Sequence, residues 1–298
     1  MIKEAGGLHL SSYSSKTPLH TFDYLGLNEL IISGGCNTNP YGVDASTIYF
    51  DPFLTYLIFS GAKKVSGDGF HDQNWANFIL AAEEEIKKRQ QTLASDEEIE
   101  WAVEFTSYRT RALNDRERAD HYLNIIRQKA KELGVKLRFY TSKQSLANII
   151  NSVERSKWNS ETNKLTTILL TRAGQDRISR LVYFGHGSPG LIAPRYDFTR
   201  HGIPNQGYAI TTQDIKDGIF MKTSFIESAI SISYACNSAT RPKTGGDSFT
   251  TVWKGYFGSL LYGVNGRLKY DTPTQVVPSK NPNDYGEIPR WIPAPPKS

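Results

Sequence analysis

Apolar residues recur along this chain in two rhythms, and the switches between them mark its elements. Between about Glu98 and Tyr270, compact apolar runs alternate with amphipathic stretches. Trp101 to Phe105, Val135 to Tyr140, Arg180 to Phe184 and Ile230 to Tyr234 have the length and composition of strands, and the last two read as interior ones. From Asp115 to Leu133, the residues Ala119, Tyr122, Leu123, Ile126 and Ala130 fall on one face ahead of Gly134, which predicts a helix and its stop. Leu146, Ile149, Ile150 and Val153 predict another, capped by Thr141 or Ser142. Thr211 or Thr212 opens a helix through Ile215 and Ile219. Asp247 or Ser248 opens one through Val252, Trp253 and Phe257, and a last strand starts within Ser259 to Gly263. Glu161 to Gln175, with polar ends around Ile168 to Leu170, fits either strand or helix.

Strands separated by helices require crossover connections, so this region predicts an α/β fold with a mostly parallel sheet and helices on both faces. The flanks differ. Met1 to about Gly69 crowds Gly, Ser, Thr and Asn together, as in Gly34-Gly35 and Asn37 to Gly42, and reads as loops and short strands. Asn74 to about Ala94 carries Trp75, Phe78, Ile79, Ala82 and Ile86 at helical spacing, with Asp72 as the candidate N-cap. Asp271 to Ser298 is proline-rich and predicts an extended tail. The expected division is therefore an N-terminal extension over 1–97, an α/β domain over 98–270 and a tail over 271–298.

Composition adds constraints. The 298 residues are 39% hydrophobic and 22% charged, enough for a substantial core. No apolar run reaches the ~18 residues of a membrane span, and the first residues lack a signal-peptide block, so the expected location is cytoplasmic, or outside after export without a standard signal. A net charge of +5 raises nucleic acid as a partner, but Lys87-Lys88-Arg89 follows Glu83-Glu84-Glu85 on one helix and no recognition motif accompanies the charge. Two cysteines, Cys36 and Cys236, exclude a disulfide framework or a structural zinc site.

Two strand ends stand out, because functional groups in α/β sheets gather at the carboxyl edges of strands. One places His186 between Gly185 and Gly187, and the other places Cys236 directly after Ala235. A thiol becomes an effective nucleophile beside a histidine or a helix N-terminus, and the residues after Cys236 lead to a helix. Gly187, having no side chain, lets its N–H approach a substrate oxygen, and with the Cys236 N–H it forms a candidate oxyanion hole. Ser188 lacks the Gly-x-Ser-x-Gly frame of a serine-hydrolase elbow, since position 186 is histidine. Cys36, in a Gly- and Asn-rich loop, reads as structural. His9, His20, His71, His121 and His201 have no matching environment.

The stretch Tyr183-Phe-Gly-His-Gly-Ser188, followed by Ser233-Tyr-Ala-Cys-Asn-Ser-Ala239, resembles the histidine and cysteine blocks of the clan CD peptidases: caspases, metacaspases, separase, gingipains, clostripain and the bacterial CHAT domains. The resemblance covers about Glu98 to Tyr270 and is nearest to the CHAT-like members. It implies a caspase-like three-layer sandwich and a cysteine endopeptidase with a His186–Cys236 dyad and no required cofactor. The partners it implies are a protein or peptide substrate and a regulator reaching the N-terminal region. Tyr234 replaces the Gln of caspases and the Asp of metacaspases, so P1 preference stays open among Tyr234, Arg109, Arg111, Asp214, Asp217 and Asp247. Loops Pro189 to Asn205 and Arg241 to Gly246 are expected to border the cleft. The alternatives are a caspase-like binding module without turnover, and a toxin domain acting inside a target cell.

Overall fold

The computed structural model describes residues 28–36, 38, 75–93, 97–159, 164–172, 176–195, 208–259, 261–266, 268–272, 275–278 and 290–291. In chain order the first half holds β1 (Asn28–Ser33), α1 (Asn77–Gln90), β2 (Glu98–Glu104), α2 (Thr106–Asn114), α3 (His121–Leu133), β3 (Lys136–Tyr140), α4 (Lys143–Asn151), β4 (Ser152–Asn159) and β5 (Lys164–Thr171). The second half holds β6 (Ile178–Phe184), β7 (His186–Ser188), β8 (Leu191–Ala193), β9 (Ile210–Thr211), α5 (Thr212–Lys216), β10 (Phe225–Tyr234) and α6 (Phe249–Phe257). It ends with β11 (Leu261–Tyr262), β12 (Val264–Asn265), β13 (Leu268–Thr272), β14 (Gln275–Pro278) and β15 (Arg290–Trp291).

Six strands form one sheet in the order β11-β10-β6-β1-β2-β3, and every neighbouring pair in it is parallel. Side chains alternate between its faces. Ile31, Trp101, Val103, Val182 and Phe184 pack under α1, α2 and α3, through Phe78, Tyr108, Leu123 and Ile126. Leu30, Ile32, Leu181 and Tyr183 pack under α4, α5 and α6, through Leu146, Ile150, Ile215 and Trp253. The result is the three-layer α/β/α sandwich that the strand–helix rhythm predicts. From β1 the chain winds outward to β3 across one face, then crosses to β6 and winds the other way to β11 across the other. The reversal opens a crevice at the carboxyl ends of β1 and β6.

The expected boundary at residue 97 does not divide this sheet. β1 lies between β6 and β2, with Ile31 opposite Val182 on one side and Trp101 on the other. α1 covers it, and the Arg89 guanidinium of α1 meets the buried Glu29 carboxylate of β1 with Nε at 3.0 and 2.9 Å from its two oxygens. Such a buried pair fixes register, because either charge alone would be strongly destabilising there.

Other elements differ in extent from their expected spans. The helix expected over 115–133 starts at His121. Ahead of it, α2 is nucleated by the Glu104 carboxylate, which accepts the Thr106 N–H at 2.9 Å and the Ser107 N–H. Arg116, at φ 65°, breaks the chain between the two helices. α4 begins at the expected Ser142 cap but stops at Asn151, leaving Val153 in β4. Arg172 accounts for the stop, donating to the Ile149 and Ile150 carbonyls at 3.2 and 2.9 Å while its guanidinium also binds Glu100. The ambiguous 161–175 segment contains strand β5, paired antiparallel with β4. The tail expected from residue 271 holds β14 and β15, paired with β13 and β12. Asp72 lies outside the described residues, and α1 shows no side-chain cap.

With β1 gone, the sheet would lose its central strand and both sets of neighbours on it. A fragment starting at Glu98 is therefore expected to show no cooperative thermal transition, whereas the full chain does; circular dichroism melts of the two check this.

Candidate functional site

His186 and Cys236 are brought to one edge by strand register. β6 and β10 run parallel with Tyr234 beside Phe184, and His186 and Cys236 each lie two positions beyond that last pair, His186 opening β7 opposite Ala193. The tips touch: a Cβ on Gly187 would lie 2.6 Å from the Cys236 carbonyl oxygen and 2.9 Å from the Ala235 Cβ. Glycine is thus required at 187 by backbone packing between the strand ends, a demand beyond the substrate approach its position first suggests. His186 is buried and Cys236 is half-buried.

The histidine turn is fixed from beneath. Tyr183 on β6 donates its hydroxyl to the His186 carbonyl at 3.1 Å, and a side chain at Gly185 would strike that phenol at 2.3 Å. The imidazole itself meets the Phe78 ring edge-on at a centroid distance of 4.9 Å. Phe78, in the first turn of α1, is also 4.9 Å from the Tyr270 ring. Its carbonyl accepts the Ser33 hydroxyl at 3.1 Å, and Ser33 in turn accepts the Trp101 indole N–H at 3.0 Å. α1 is therefore anchored to β1 and β2 where it presses on the histidine.

The cysteine turn is held by the chain that follows β11. Asn237 takes a left-handed conformation, φ 57°, which its short side chain tolerates. The Asn237 and Ala239 amides donate to the Gly266 and Val264 carbonyls at 2.6 and 2.9 Å. The expectation that a helix N-terminus following Cys236 would serve the sulfur is thus corrected: these two amides are engaged elsewhere, and α6 starts only at Phe249. The N–H that reaches the sulfur is that of Leu268, at 3.3 Å, with the Leu268 carbonyl 3.8 Å away. Tyr270 ties the same strand down by donating to the Tyr234 carbonyl at 2.8 Å.

Several of the expected specificity residues are engaged within the protein itself. Tyr234 stacks on Phe184 at 4.8 Å, and its phenol is pushed up to about 12 by burial and by the nearby Glu85 carboxylate. Arg111 is buried on α2 with Nε 2.7 Å from Asp115, which also accepts the Tyr122 hydroxyl. Arg109 and Asp247 stand exposed on the surface. Asp214 belongs to a capping box with Thr211: its carboxylate accepts the Thr211 N–H at 2.8 Å, while its own N–H donates to the Thr211 hydroxyl at 3.2 Å. Lys143 binds it at 2.7 Å. Burial raises its carboxyl, but the hydrogen bonds from Lys143 and Thr211 outweigh this and hold it below the usual range. The Thr-x-x-Asp spacing was the available signal for that structural role. Asp214 and Asp217 border a separate groove with Lys143 and Met221, which contains neither His186 nor Cys236.

Cys36 lies in the core beside α2, its thiol pushed well up by burial. His121 is exposed, 3.8 Å from Glu117. His9, His20, His71 and His201 lie outside the described residues. The two expected border loops do meet, since a Cβ on Gly190 would touch Pro242 at 2.9 Å. Phe78, Leu268 and Tyr270 join the site from outside the two motifs, and Tyr183 supports it from within the histidine motif. Among the described residues no group of three or more His, Cys, Asp or Glu could hold a metal ion, and no helix is long and apolar enough to cross a membrane. No family model, curated protein or solved structure matches the chain.

Two substitutions probe this arrangement. Gly187→Ala should push the strand tips apart, lower stability by about 1–3 kcal/mol and slow alkylation of Cys236 by iodoacetamide. Asp214→Ala should lower stability at pH 7 by about 1 kcal/mol through loss of the cap. The depressed carboxyl contributes above the unfolded-chain value of ~3.9, so the gap to wild type should close as the pH falls from there through the lower folded-state value; urea melts at several pH values measure both effects.

Proposed function

We propose that the chain is a caspase-like cysteine endopeptidase in which Cys236 is the nucleophile and His186 its acid–base partner. The observation that carries the reading is the in-register pairing of β6 and β10, which sets both residues two positions past adjoining strand ends with Gly187 against the Cys236 carbonyl. Strand-end placement suits the chemistry, because an extended substrate laid across the sheet edge meets both groups.

In the proposed cycle, His186 takes the proton of the Cys236 thiol as sulfur bonds to the scissile carbonyl carbon. The oxyanion that forms is stabilised by the Gly187 and Cys236 amides. Collapse breaks the C–N bond, His186 returns the proton to the departing amine, and a thioester remains on Cys236. Water, deprotonated by His186, then hydrolyses the thioester and restores the thiol. No redox partner or cofactor enters this sequence. Phe78 and Tyr183 act as positioning residues, the first on the imidazole ring and the second on the His186 backbone.

The test is a peptide-library cleavage profile of the purified chain, paired with labelling by peptidyl acyloxymethyl ketones. Wild type is expected to cleave and to be labelled at Cys236. Cys236→Ala should abolish both, and His186→Ala should lower cleavage by at least about 10³-fold while the fold is retained. Labelling of Cys236 with no cleavage of any library member would instead indicate a binding module.

A further inference from the structure

One residue of β13 engages the Cys236 sulfur both as donor and as acceptor. The Leu268 N–H donates to it at 3.3 Å, and its own S–H is directed at the Leu268 carbonyl at 3.8 Å. Further along the strand, Tyr270 donates its hydroxyl to the Tyr234 carbonyl at 2.8 Å. The Tyr270 ring lies 4.9 Å from Phe78, the same ring that meets His186. β13 therefore runs from the nucleophile to the side chain that backs the imidazole.

An extended substrate has to present its scissile peptide to this sulfur, and β13 already holds a peptide group against it. The thiol proton, which the proposed cycle passes to His186, is meanwhile directed at a backbone carbonyl. We propose that β13 is an autoinhibitory strap, closed over the dyad at rest, which swings aside before substrate reaches Cys236. The inference rests on the peptidase reading and adds its regulation.

The build of the segment suits that motion. Its near end is a fixed pivot, Gly266 at φ 96°, whose N–H donates to the Thr240 hydroxyl at 3.1 Å and whose carbonyl accepts the Asn237 N–H at 2.6 Å. Beyond the pivot, β13 lies outside the six-stranded sheet and pairs with β14 in a two-stranded ribbon, an arrangement that is marginal in water by itself. The Leu268 and Tyr270 side chains are buried, so the closed form is the resting one, and the open form is a minor population that a ligand binding it preferentially raises. Opening frees both members of the dyad together, the sulfur from the Leu268 peptide and the imidazole from the rings stacked behind it.

Tyr270→Phe keeps the ring on Phe78 and removes only the hydroxyl tie. In the full chain carrying it, alkylation of Cys236 by iodoacetamide should run about fivefold faster than in wild type, the effect of one hydrogen bond lost from the closed form. Amide exchange at Leu268 should speed up with it, and library cleavage should rise by a similar factor. Cys36, buried in the core, is the internal control and should stay unlabelled in both proteins, because the strap opens without unfolding the sheet. Faster labelling with no cleavage by either protein leaves the strap standing and ends the peptidase reading, whereas equal labelling and equal cleavage do the reverse. The strap is also overturned if Cys36 becomes labelled along with Cys236 in the variant, or if the Leu268 amide exchanges as fast in wild type as in Tyr270→Phe.

Discussion

The arrangement of this molecule depends on the parallel register of three strands, β1, β6 and β10. Because Phe184 pairs with both Ser33 and Tyr234, three chain ends leave the sheet at one level. Everything at the candidate site follows from that level. His186 and Cys236 emerge side by side, the Gly34 amide still reaches the Phe184 carbonyl at 2.7 Å, and Gly35 turns away to donate to Pro194 at 2.8 Å. A one-residue slip of β10 would exchange its faces, forcing Ile232 and Tyr234 into the buried places that the small Ser231 and Ser233 now fill, so side-chain size on the two covered faces guards the register.

Glycine has different duties at the tips. Gly187 and Gly185 are excluded from bearing side chains by a carbonyl and a phenol, respectively, while a Cβ at Gly34 would make a tight contact of 3.1 Å with the same Tyr183 hydroxyl. Tyr183 is thus the hub beneath the crevice: fully buried, kept protonated by burial and by the neighbouring Cys236, and bonded to the very carbonyl that orients the histidine turn. Its hydroxyl is satisfied by backbone, which makes the turn a rigid support in place of an adaptable loop.

The parts of this architecture that were legible in the sequence are those encoded locally. The apolar runs before His186 and Cys236, the Ser142 and Ser248 caps and the Gly134 stop are short-range signals, and each appears where expected. β1 was hidden because its pattern looks unlike an interior strand: Asn28 and Glu29 begin it, and Glu29 is tolerable in the core only through Arg89 in a helix sixty residues later. Leu268 and Tyr270 were hidden for a related reason. They act through a backbone amide and a phenol on a segment without periodicity, and only tertiary structure brings them to the sulfur. Asp214, by contrast, was misread although its signal was present, since a carboxylate near a motif invites a chemical role before a capping one.

The strand after β12 changes what the site is. Leu268 presents both its N–H and its carbonyl toward the Cys236 sulfur, while Tyr270 fastens the same strand to β10 and presses its ring on Phe78. Phe78 in turn bears on His186. The two motif residues are therefore linked by a loop of contacts that runs from the sulfur through β13, across α1 and back to the imidazole, with no member drawn from either motif. Displacing β13 would free the sulfur and unsupport the histidine ring together. The placement of His186 and Cys236 is thus a property of three distant segments, around residues 78, 184–187 and 234–236, closed by a fourth at 268–270.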